Sequence, residues 1–116
     1  MSSFATAAAD VTLYDEPLDE SQIVSGNPIV SHRLLSESSD GRIQRGVWQI
    51  TAGVVTDIEA DEMFVVVSGS ASIELLTAGR TIDVGPGDVC VFTEGERTRW
   101  TVHETLRKVY QITAVP

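Results

Sequence analysis

Apolar and polar residues alternate along most of this chain with a period of two, in runs too short to build a helix face. The clearest run is 80–84, where Ile82 and Val84 fall against Thr81 and Asp83. A period of two sends successive side chains to opposite faces, so such a run predicts a strand with one buried side. Comparable β-rich runs cover residues 29–35, 42–51, 54–58, 62–68, 71–76, 89–92, 99–103 and 106–113. Turn residues separate them. Ser36-Glu37-Ser38-Ser39-Asp40-Gly41 reads as a loop by composition, and Gly53, Gly69 and Thr77-Ala78-Gly79 mark further reversals. Gly85-Pro86-Gly87-Asp88 predicts a tight turn, because proline presets φ and the flanking glycines admit positive φ. Eight or nine short strands in this rhythm specify an antiparallel sandwich or barrel. A parallel α/β fold needs crossover helices, and the connections are too short to hold them. The fold class is all-β.

Residues 1–27 have a different texture. They carry Asp10, Asp15, Glu16, Asp19 and Glu20 with no lysine or arginine, and Pro17 and Gly26 interrupt them. Ala5 to Ala9 could open a helix, but no convincing cap precedes them. The reading is an acidic extended arm, 1–27, with short strands around residues 11–14. It leads into a single barrel domain, 28–116.

Composition narrows the function classes. A chain of 116 residues builds one hydrophobic core. Eight Lys+Arg against 17 Asp+Glu leave a net charge of −9, which repels nucleic-acid phosphates and anionic membrane surfaces. Hydrophobic residues make up 42%, too many for a disordered chain. The longest apolar run, 63–67, is far short of the ~20 residues that cross a bilayer. The single cysteine, Cys90, rules out an internal disulfide and a cysteine-based zinc cluster. No lysine or arginine precedes the small residues of the N-terminus, so no secretion signal is read there and a cytoplasmic protein is expected.

Two segments carry a family resemblance. Gly-Val-Trp-Gln-Ile-Thr-Ala-Gly (46–53) followed by Glu-Met-Phe-Val-Val-Val-Ser-Gly (62–69) resembles the first motif of the cupins, in which a strand bearing a glutamate runs six residues into a turn glycine. Gly-Asp-Val-Cys-Val-Phe-Thr-Glu-Gly (87–95) resembles the second motif. Arg99-Trp100-Thr101-Val102 and Leu106-Arg107-Lys108-Val109-Tyr110 are similar to a cupin subgroup that includes the C-terminal domain of (S)-ureidoglycine aminohydrolase. The resemblance covers about residues 42–113 and implies a double-stranded β-helix, the jelly-roll cupin barrel. It also implies hydrolytic or amine-releasing chemistry on a small nitrogen-bearing substrate, that is, a hydrolase acting on C–N bonds. The alternative is a non-catalytic ligand-binding or accessory module.

The metal positions of that family are altered here. Counted back from Glu62, the His-x-His slots fall on Thr56 and Ile58, or on Val55 and Asp57, and the last histidine slot falls on Thr98. Glu62 alone is a competent ligand, with Asp57 marginal, and one carboxylate holds a transition metal weakly. No tightly bound cofactor is expected. A weakly held divalent ion is the most this set allows, manganese being the metal of the related aminohydrolases.

The candidate site follows from strand phase. Glu62 shares a face with Phe64 and Val66, and Lys108 shares one with Tyr110 and Ile112. If both faces look inward, Glu62, Lys108 and Tyr110 form a catalytic group, and Lys108 on a buried face needs Glu62 as its partner. Trp48, Phe64, Thr98 and Trp100 frame a small polar metabolite beside them. The structural alternative is that Glu62 and Lys108 only pair and that Trp48 and Trp100 are simply core. His32 and His103 read as ordinary strand residues, with His103 facing outward. Cys90 reads as a small buried hydrophobe, and Asp57, Glu59 and Asp61 read as a solvated loop face. A small barrel with an extended arm leaves edge and apolar surface uncovered, so a homodimer is expected, with the arm at its interface.

Overall fold

The computed structural model describes residues 3–114 of the chain; residues 1–2 and 115–116, the outer ends of the arm and the barrel, lie outside the described residues. Among the described residues nine strands form: β1 Tyr14–Asp15, β2 Ile23–Ser25, β3 Val30–Glu37, β4 Ile43–Ile50, β5 Gly53–Ile58, β6 Asp61–Leu75, β7 Arg80–Val84, β8 Val89–Phe92 and β9 Arg97–Thr113. All pairs are antiparallel. Strands β7 and β8 match the predicted runs end to end. The arm differs in detail: its strands are 14–15 and 23–25, with a single 3-10 turn at Glu20–Gln22 capped by the Asp19 carboxylate.

The largest departure from the alternation reading concerns the two long strands. Residues 62–68 and 71–76 were expected as separate strands, as were 99–103 and 106–113. Each pair is one continuous strand, β6 and β9, and the two run together along almost their whole length. The turn glycine between the first pair makes a bulge instead of a reversal. Gly69 has φ +85°, and a Cβ there would lie 2.0 Å from the Thr105 carbonyl oxygen. Buried positions are even before it (62, 64, 66) and odd after it (71, 73, 75), so the irregularity shifts the phase of the strand.

That bend divides the curled sheet into two layers. The first half of β6 and the second half of β9 join β1, β3, β4 and β8. The second half of β6 and the first half of β9 join β2, β5 and β7. The architecture is an all-β jelly roll, or double-stranded β-helix. Phe64, Val66, Ile50, Ile73, Leu106 and Trp100 fill the interior.

Residues 3–11 are neither helix nor strand apart from a turn at Ala8–Asp10, where Val11 N–H meets the Ala7 carbonyl at 3.0 Å. An uncapped helix start competes here with a fixed cation. The Arg107 guanidinium donates to the carbonyls of Ala8, Ala9 and Val11 at 3.0, 3.1 and 3.2 Å, strapping the segment across the outer face of the first layer. Among the described residues, no helix is long and apolar enough to cross a membrane.

Candidate functional site

A cavity of about 320 Å³ opens at one end of the barrel, bounded by β3, β4, β5, β6 and β9 and roofed by arm residues Glu16, Leu18 and Gln22. Strand phase supplies its floor. Leu106, Lys108 and Tyr110 are the inward residues of the second half of β9, and Lys108 stands opposite Trp48 on β4 and Val66 on β6. Glu62 is the first buried inward residue of β6, between Phe92 and Ile112 on its neighbours.

Lys108 Nζ lies 2.7 Å from Glu62 Oε2, with the two side chains 7% and 4% exposed. The contact is close but poorly directed, and that oxygen receives no hydrogen bond of good geometry. The ammonium also sits over three aromatic rings, 4.4 Å from Phe64, 4.5 Å from Trp48 and 5.2 Å from Trp100. Burying each ion costs several kcal/mol. The carboxylate and the ring faces, each worth ~2 kcal/mol where water is excluded, offset that cost. The result is a fixed cation in the cavity floor.

Glu59 lies in the short link between β5 and β6. Its N–H donates to the Glu96 carbonyl at 2.8 Å and its own carbonyl accepts from Gly95 N–H at 2.9 Å, clamping the link to the β8–β9 turn. That clamp turns the side chain inward. Thr98 Oγ1 and Trp100 Nε1 both donate to Glu59 Oε2, at 2.7 and 3.1 Å. Burial pushes the Glu59 carboxyl above its ordinary range, more than the Thr98 hydrogen bond lowers it, and the Asp57 charge adds to the rise. Asp57, beside it on the cavity wall, is also raised by burial, against the pull of the Ile58 N–H and Lys108.

His32 stacks on Tyr110 with ring centroids 5.5 Å apart, and its Nε2 is hydrogen-bonded to the phenol. The imidazole Nδ1 faces Glu16 Oε2 at 3.7 Å. Burial pushes the Tyr110 hydroxyl up to about 12, so the phenol keeps its proton at neutral pH.

The structure brings Glu62, Lys108, Tyr110, Trp48 and Trp100 together around the cavity. Phe64 and Thr98 are fully buried behind that lining: Phe64 supports the ammonium, and Thr98 orients Glu59. His103 is exposed and bonded to Ser72, and Cys90 is buried, its thiol pushed up to about 11 by that burial.

Two expectations are corrected. Glu59 is not part of a solvated face but 7% exposed, because the backbone clamp to residues 95–96 turns it in while Ile58 points out. His32 is a strand residue that also lines the cavity, since its pairing with Trp48 puts it on the inner face. Glu59 had a signal. Thr98 and Trp100 share a buried face, and an indole N–H placed there needs an acceptor. His32 had none in the linear order.

These residues do not fit a transition-metal centre. The Glu62 carboxylate is taken by an ammonium, the Thr98 hydroxyl is committed to Glu59, and His32 Nε2 is committed to Tyr110. Among the described residues, no group of three His, Cys, Asp or Glu side chains is placed to hold a metal ion.

Residues 37–110 match the model of the EutQ-like cupin domain, well over half of the chain. No curated protein matches the chain significantly. Among solved structures, the chain is similar to the EutQ protein of Clostridium difficile, with TM-score 0.64 and 18% identity over 81% of this chain and 76% of that one. It is similar to a protein of unknown function from Pseudomonas syringae, with TM-score 0.79 and 24% identity over 89% of this chain, which spans only 45% of that one. It is also similar to the polyketide cyclase RemF of Streptomyces resistomycificus, with TM-score 0.68 and 22% identity over 97% of this chain and 80% of that one. At these identities the shared property is the fold.

Proposed function

Because the chain belongs to the EutQ-like cupin family, we propose that it is a small-molecule-binding cupin whose cavity takes a polar, nitrogen-bearing metabolite. The buried Lys108–Glu62 pair at the cavity floor carries this reading. A folded protein gains little from burying such a pair when apolar residues of equal volume would serve. Bordering a cavity, the pair places a hydrogen-bond acceptor and a positive charge a few ångströms apart. The finer reading is hydrolysis of a C–N bond. Water adds to the carbon, the C–N bond breaks, and the released amine leaves with a proton from that water. Lys108 steadies the negative charge that develops on the substrate oxygen, and Glu62 receives the substrate N–H. Tyr110 acts as a hydrogen-bond donor and not as a base, since its phenol holds its proton to about 12.

One observation favours the non-catalytic alternative: Glu62 Oε2 is already occupied by the Lys108 ammonium at 2.7 Å and is not free to face an attacking water. Glu62→Gln keeps the shape and removes the charge. Mass spectrometry of the small molecule that co-purifies with wild-type protein identifies the probe, and calorimetry with that compound measures its binding. A loss of binding of roughly a hundredfold in folded Glu62→Gln protein is expected, the scale of a lost charged hydrogen bond. Unchanged binding would sink the reading, and turnover of the compound by wild type separates enzyme from binder.

We also infer a homodimer. Met63, Val89 and Val91 are 50%, 60% and 71% exposed on the outer face of the first layer. Such a row of apolar side chains is covered when a second copy packs on it. Sedimentation at micromolar concentration is expected to give the dimer mass, and a monomer counts against it.

A further inference from the structure

We infer that the ligand enters this cavity with a cationic group, an ammonium or guanidinium, and that Glu59 with Asp57 receives this group while the Lys108–Glu62 pair holds the ligand's neutral polar end. The inference rests on the reading of the cavity as a ligand site and says which end of it binds which charge. Among the described residues, Glu16, Asp57, Glu59 and Glu62, four carboxyl side chains, border the cavity against one permanent cation, Lys108. That cation is committed: its Nζ is 2.7 Å from Glu62 and boxed by three rings. Glu62 therefore offers an arriving cation little net charge.

Glu59 is in the opposite condition. Both of its hydrogen bonds come from neutral donors, Thr98 and Trp100, and both end on Oε2. Among the described residues Oε1 accepts none, and it is not sealed away as Glu62 Oε2 is. The groups that face Glu59 are Asp57 on β5, Glu62 on β6, and Thr98, Trp100 and Lys108 on β9, with the Glu96 carbonyl on its N–H. None is an unengaged cation. A carboxylate 7% exposed, with one oxygen free of hydrogen bonds and its nearest cation, Lys108, paired with Glu62 instead, is an unfavourable arrangement by itself, and an organic cation relieves it. The aromatic walls of Trp48 and Trp100 suit such a cation better than a hydrated metal ion.

The chain holds two tryptophans, Trp48 and Trp100, so its proton–nitrogen NMR spectrum carries two indole N–H signals. The two rings are neighbours, 5.8 Å apart, but only the Trp100 N–H is bonded to Glu59, so the Trp100 signal reports that carboxylate directly and Trp48 serves as the internal reference. The probes are methylguanidinium and methylammonium as cations, acetate as an anion and formamide as a neutral molecule. A saturable shift of the Trp100 signal with the cations is expected, stronger than any shift of Trp48. It is expected to weaken roughly tenfold in Glu59→Gln, a change that keeps an acceptor for both donors. If Glu59→Gln does not fold, the wild-type comparison of Trp100 against Trp48 decides alone. Shifts produced by acetate or formamide but not by the cations overturn the inference and leave the cavity a ligand site. A cation response unaltered in folded Glu59→Gln also overturns it. If no probe moves any cavity signal, both the inference and the parent reading fall.

Discussion

Lys108→Met is expected to destabilise the protein by about 3–5 kcal/mol, the cost of leaving a buried carboxylate without its partner. Methionine has nearly the length of lysine and fills irregular apolar space, so it leaves no large void among Trp48, Phe64 and Trp100. What it removes is the charge 2.7 Å from Glu62 Oε2, an atom with no other hydrogen bond. The effect is therefore electrostatic and has a diagnostic reversal. Glu62→Gln combined with Lys108→Met leaves no unpaired ion, and most of the stability is expected to return. Urea denaturation of the wild type, both single variants and the double variant gives the coupling between the two residues. Additive effects of the two substitutions would show that the pair is not the unit described here.

Gly69→Ala is expected to cost more than about 3 kcal/mol or to prevent folding, since it combines a steric overlap with a left-handed backbone. The added Cβ would sit 2.0 Å from the Thr105 carbonyl oxygen and 2.6 Å from Leu106 Cα, both backbone atoms that cannot swing aside. The overlap falls where β6 and β9 pass between the two layers, so relieving it means separating the longest strand pair in the fold. Gly79→Ala is the control. Gly79 has φ +70° but open space around it, so alanine there bears only the conformational penalty of about 1–2 kcal/mol. The difference between the urea midpoints of the two variants isolates the overlap. Equal losses would mean that the β6–β9 bend tolerates a side chain and is looser than its geometry states.

The candidate site was legible in the sequence to the extent that it lies on strands. Alternation put Glu62 on the face of Phe64 and Val66, and Lys108 on the face of Tyr110, and these residues do converge at the cavity floor. Thr98 and Phe64 were placed on the correct face, and both are fully buried behind the cavity lining. Glu59 was missed because it lies in the link between β5 and β6, where no alternation exists to phase it.

Side-chain alternation is a local property, repeating every two residues, so the sequence by itself determined which segments are strands and which of their side chains turn inward. It also determined the acidic character and the all-β class. Only the tertiary structure decided that residues 61–75 form one bent strand, because Gly69 makes a bulge or a reversal according to what packs against it, here the Thr105 backbone. Only the tertiary structure closed the cavity with an arm residue, Glu16, facing His32, and joined His32 to Tyr110 across 78 positions and Glu59 to Trp100 across 41. Contacts at such separations depend on how the two layers fold over each other, which the alternation along a single strand does not specify.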